Sequence, residues 1–142
     1  MKPDRRRLRR CTKKLEGFLR DNFPLGKPVT VRWAKALPFS ADEAKEMRIS
    51  EEQRKHGCFG YCTTTEGKFR IQISERNDSL FLATDTLMHE WAHALDARVG
   101  RVEECRGDYH DASFWITFCN IKRVVFEALK AGDLDWNEVY YD

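Results

Sequence analysis

No apolar run in this 142-residue chain approaches the roughly 20 residues that cross a bilayer. Its basic start, MKPDRRRLRRCTKKL, is not followed by the apolar segment of a secretion signal. The expectation is a cytoplasmic protein with no membrane contact. A C-x-x-C pair is also missing. The five cysteines, Cys11, Cys58, Cys62, Cys105 and Cys119, are odd in number and scattered, which argues for reduced thiols over a disulfide framework. Cys58 and Cys62, in CFGYC, are four apart and would share one face of a strand, so burial accounts for them without a cysteine metal site. There is no internal repeat and no low-complexity tract. What remains, 42% hydrophobic and 34% charged residues, suits one folded domain over residues 1–142. A chain of this length buries about two-thirds of its unfolded surface and needs no covalent staples.

Charge is unevenly spread. Residues 1–20 hold nine Lys/Arg and two acids, a charge of +7, which leaves −5 on residues 21–142 within a whole-chain net of +2. A basic helix or arm over 1–22 on an acidic body could touch nucleic acid or another polyanion; the plainer alternative is a solvated helix face. No aromatic interleaves the basic run from Lys2 to Lys14, which leaves no base-stacking platform of the single-strand-binding kind.

Hydrophobic spacing sets the elements. Leu8, Cys11, Leu15, Phe18 and Leu19 recur at helical intervals and predict a helix over 4–22 with one inward stripe. VTVRWAKAL (29–37) alternates as a half-buried strand does, and Ser40 could cap a polar helix through ADEAKEM, unless that stretch is only a connection. GCFGYCTTT (57–65) and KFRIQIS (68–74) flank a short EG turn and predict a hairpin, with Phe69, Ile71 and Ile73 on one face. Two long helices follow. The first is capped by Ser79 or Thr84 and stopped by Gly100. The second, over 111–132, has Phe114, Trp115, Phe118, Ile121, Val125 and Leu129 as core candidates and stops at Gly132. The aromatic tail DLDWNEVYYD should dock. This order gives an α+β fold, a small antiparallel sheet packed on helices.

The chemistry concentrates in LMHEWAHALDARVG (87–100). Residues i and i+4 of a helix lie on one face, so His89 and His93 can present two imidazoles to one ion. Glu90 stands beside them but is turned aside, placed to hold a water near the ion and accept its proton. This is the H-E-x-x-H arrangement of two ligands and a general base. Such a pattern arises by chance in about one shuffled chain in a hundred, so its helical context has to carry the argument. Burying a carboxylate without a function is costly, which favours the metal reading.

Catalytic zinc takes three protein ligands and leaves a position open. The metzincin continuation is excluded, because Asp96 and Val99 occupy its glycine and final histidine positions. Asp96 shares the face of the two histidines but lies about 10 Å along the axis from His89, too far to ligate with it. The remaining candidates are His110, at the start of the next helix, Glu103, Glu104 and His56. Asp96, Asp108 or Asp111 could orient a ligand imidazole, and Tyr109 could face the oxyanion.

With HEWAH followed by HDASFW, the chain resembles the SprT-like and related minimal zincin peptidases over about residues 57–120. The resemblance implies a zincin-like catalytic core within 57–130, Zn²⁺ held by His89, His93 and His110, Glu90 as catalytic base, and structural positions for Phe114 and Trp115. It implies hydrolysis of a peptide or protein substrate, and strand 68–74 is the candidate sheet edge for an extended peptide. The C-terminal cysteine zinc ribbon of some such proteins is absent, since only Cys119 follows residue 110. Two other functions compete. One is a non-catalytic zinc-containing binding module, which would require a fourth ligand. The other is association with nucleic acid through the basic N-terminal segment.

Overall fold

The computed structural model describes residues 4–98 and 110–136. These form five helices and three strands: α1 (Arg5–Asn22), β1 (Val29–Ala34), α2 (Ala41–Met47), α3 (Glu51–His56), β2 (Gly60–Thr65), β3 (Lys68–Ser74), α4 (Leu80–Arg98) and α5 (Ala112–Ala131). No helix among the described residues is long and apolar enough to cross a membrane.

The fold is α+β, but its sheet is mixed and not antiparallel as the sequence suggested. The strand order is β1-β3-β2, with β2 antiparallel to β3 and β1 parallel to it. Alternation identifies a strand without identifying its neighbour. The chain leaves β1, passes through α2 and α3, and enters β2 from the same end of the sheet, where Leu37 bridges Gly57. The hairpin then sends β3 back into the slot beside β1. A hairpin's second strand opposes its first, so β3 must run parallel to β1. Strand 68–74 is therefore the centre of the sheet, paired on both sides, and cannot be the edge that receives a peptide.

Local signals fix the connection between β1 and β2. Ser40 and Glu43 form a reciprocal capping box at α2, and Ser50 and Gln53 form another at α3, a helix absent from the sequence reading. Gly57 ends α3 at φ 68°, and a Cβ there would lie 1.8 Å from the Leu37 carbonyl oxygen, so only glycine fits.

The core lies where α4 crosses β2 and β3 and receives α1 and α5 on its other sides. Leu8, Cys11, Leu15 and Leu19 of α1 are buried as their spacing predicts, and so are Phe69, Ile71 and Ile73 of β3. α4 buries Leu87, Met88, Trp91, Ala92 and Ala94, which point in different directions round the helix, because it has neighbours on most sides. The Trp91 indole N–H donates to the Phe23 carbonyl at 3.0 Å and ties the end of α1 to it. α4 is capped by the Ser79 hydroxyl, which accepts the Leu82 amide, whereas Thr84 donates within the helix to the Leu80 carbonyl. Gly100 lies outside the described residues. α5 ends at Gly132 in the left-handed conformation, as expected. Of its core candidates, Phe114, Phe118, Ile121 and Val125 are buried and Leu129 is partly so, but Trp115 is 48% exposed. Position 115 is one residue, about 100°, round the helix from the inward stripe that begins at Phe114. The tail docks as far as it is described: Leu134 is buried, and Cys11 and Lys14 of α1 donate to the Trp136 and Asp135 carbonyls.

One buried amide joins these parts. Asn77 donates to the carbonyls of Phe59 and Ser74, both at 2.8 Å, and accepts the Thr86 hydroxyl at 2.7 Å. It thus holds the start of β2, the end of β3 and α4 together. Asn77→Ala would strand buried partners and should lower unfolding free energy by about 2–3 kcal/mol, read as a reduced midpoint in urea. An unchanged midpoint would show that the clip contributes nothing.

Candidate metal centre

His89 and His93 project from adjacent turns of α4, and His110 stands just before α5. Asp111, the next residue, caps α5 by accepting the Phe114 amide at 2.9 Å, which fixes how His110 enters the helix. The Asp96 carboxylate, on the buried side of α4, accepts the Thr117 hydroxyl at 2.7 Å and clamps α5 to α4 beside the site. The packing of the two helices is what brings the three imidazoles together.

The His110 Nε2 lies 2.9 Å from that of His89 and 3.2 Å from that of His93. The three residues offer ligand atoms all within 4.8 Å of one another and could hold a metal ion. Two nitrogens bound to one tetrahedral zinc would lie about 3.3 Å apart, so the observed spacing fits the donor set. One ring nitrogen can share only one N–H or one lone pair between two such contacts, whereas a central cation would serve every nitrogen.

An aromatic shell surrounds the cluster. The Phe114 ring stacks on His93 at 4.2 Å and lies 4.8 Å from both His89 and His110. Phe118 is 5.3 Å from His89, and Trp115 is 5.8 Å from His110. Burial in this apolar setting lowers the pKa of His89 to about 4, helped by His110 and opposed by Asp85. Burial, with His89 and His110 adding to it, lowers that of His93 to about 3. Both imidazoles are thereby held neutral, the form that binds metal.

Glu90 is 4% exposed, and its Oε2 has no hydrogen-bond partner. Burial raises its pKa to about 8. The backbone of β2 presses on it: a Cβ at Gly60 would lie 3.0 Å from the Glu90 Cγ and 2.5 Å from the Thr86 Cγ2. Gly60 was missed in the sequence, although a glycine inside a strand often marks such a close approach. Cys58, half-buried just before β2, donates to the Leu37 carbonyl; burial and then the charge of Glu90 raise its thiol pKa. Cys62 is fully buried, and neither cysteine belongs to the histidine cluster.

The other sequence candidates divide. His56 is on α3, exposed, 3.7 Å from Glu52, and away from the cluster. Glu103, Glu104, Asp108 and Tyr109 lie outside the described residues. The chain was compared with protein-family models, curated proteins and solved structures, and none matches.

The three shifts make the stability of the metal-free protein depend on pH. His89 and His93 have depressed pKa values, so the stability they contribute is full above about pH 6.5 and is lost as pH falls through about 4 and 3. Glu90 has a raised pKa, so its contribution is full below about pH 4.5 and is lost as pH rises through about 8. Thermal melting in chelator should therefore weaken on both sides of a mildly acidic optimum. Glu90→Gln should flatten the alkaline limb alone; an alkaline loss that persists in this variant would assign it to other groups.

Proposed function

We propose that the protein is a zinc-dependent metallopeptidase, a hydrolase of peptide or protein substrates. The observation that carries this reading is Glu90: a buried carboxylate with an unpartnered oxygen, on the same turn of α4 as two of three converging imidazoles. A structural site would be closed by a fourth protein ligand; the unpartnered Glu90 oxygen beside the imidazoles favours turnover over a non-catalytic binding module. The resemblance of HEWAH and HDASFW to SprT-like zincin peptidases supports the same conclusion.

His89, His93 and His110 would hold the zinc. When bound, it supplies Lewis-acid polarisation of the scissile carbonyl and makes a neighbouring water more acidic. With a cation at the imidazoles, Glu90 would be held in its ionised form despite its burial. Glu90 then accepts a proton from the attacking water and delivers it to the departing amine nitrogen. Phe114 packs against the imidazoles and helps to withdraw those of His89 and His93 from water, and Gly60 leaves room for the Glu90 stem.

Elemental analysis beside a peptide-cleavage assay tests this. Wild type should carry about one zinc per chain, and His110→Ala should lose it. Glu90→Gln should keep the zinc and lose about 10²–10⁴-fold in kcat/KM. Full cleavage by Glu90→Gln would remove the general base from the mechanism, and failure to take up any metal would end the peptidase reading.

A second reading concerns α1. Arg5 and Arg9 pair with Glu75, and Arg20 with Glu16. Arg6, Arg10 and Lys13 are exposed at i, i+4 and i+7, on the face opposite the buried stripe. This row suits a phosphate backbone. Affinity for a 20-base-pair DNA duplex should fall steeply with salt, and replacing all three by alanine should reduce the log–log slope by about 3. Binding that is absent or insensitive to salt would dismiss this role.

A further inference from the structure

Beside the histidines stands a large side chain that the core does not use. Trp115 is in the first turn of α5, and 48% of it is exposed, while Phe114 before it is fully buried. A single exposed apolar residue is ordinary on a protein surface. This one, however, flanks the reactive cluster. Its ring lies 5.8 Å from His110, inclined by 31°, and 6.5 Å from His89 edge-on. It is 5.2 Å from Phe114 and 6.1 Å from Phe118, so it is the exposed face of an aromatic wall that starts at the imidazoles, with Phe114 and Phe118 buried behind it. The wall is short. One helical turn beyond Phe118, Lys122 puts its ammonium 5.0 Å over the Phe118 ring and pairs with Asp85 of α4 at 3.1 Å. An extended apolar partner would have to desolvate that ion pair, whereas a single side chain would not.

We propose that Trp115 walls a subsite for one bulky apolar or aromatic side chain of the peptide bound at the histidine cluster. The substrate class is then peptides with such a residue next to the scissile bond. This rests on the peptidase reading and adds its specificity. The exposed indole face would stack on or pack against the incoming side chain, and Phe118 would back it. Aromatic contacts of this kind contribute beyond the area they bury, enough together for about tenfold discrimination against alanine.

The test uses a pool of synthetic decapeptides randomised at two central positions. Zinc-loaded wild type and Trp115→Ala are assayed for cleavage sites by mass spectrometry. Zinc-loaded Glu90→Gln, with and without Trp115→Ala, is assayed for the peptides it retains. Wild type should cut beside Phe, Tyr, Trp, Leu or Met about tenfold more efficiently than beside Ala, and Trp115→Ala should lose that preference. Trp115→Phe, which keeps a smaller wall, should show a reduced preference and decides the matter if the alanine variant does not fold. Cleavage without the preference, or with a preference unchanged by these variants, overturns the subsite and leaves the peptidase standing. No cleavage, but retention on Glu90→Gln that is enriched in apolar residues and depends on Trp115, keeps the subsite and overturns the peptidase. Neither cleavage nor selective retention overturns both.

Discussion

Burial of α4 constrains everything else in this molecule. The helix has the sheet, α1 and α5 as neighbours, so most of its residues between Leu87 and Asp96 are withdrawn from water. A polar side chain in such a helix cannot rely on solvent and must find a partner, change its protonation state or bind something. Asp96 finds Thr117, and Thr86 finds Asn77. His89 and His93 stay neutral, and Glu90 is pushed toward its protonated form. A divalent cation would answer all three at once, since it would take the imidazole lone pairs and favour the carboxylate.

The surroundings serve that helix. β2 approaches closely because residue 60 has no side chain, and Asn77 keeps the strand ends in place. His110 stands just before α5 and Phe114 lies in its first turn, so one packing contact both completes the cluster and sets a ring against it. The same turn leaves Trp115 facing outward, half exposed to solvent.

Much of the fold was legible because it follows from local periodicity. The stripe of α1, the inward face of β3, the hairpin and the Ser40 cap all depend on residues a few positions apart. The failures have different causes. The parallel pairing of β1 depends on the route taken by residues 35–59, which no alternation pattern encodes. Trp115 fits a helical core stripe by size and spacing, yet a rotation of about 100° from Phe114 puts it outside. The short α3 has its capping box but no apolar stripe to announce it.

The site divides in the same way. The sequence by itself determined that two imidazoles and a carboxylate share one stretch of helix, because a spacing of four is a helical turn. It also made His110 a candidate among several. Only the tertiary structure brought His110 into the cluster and left His56 outside it, since a residue 17 positions beyond His93 is placed by how α5 packs on α4, not by any local rule. Tertiary packing also decided that Glu90 is buried with a free oxygen, because burial depends on neighbours such as Gly60 that are remote in the chain.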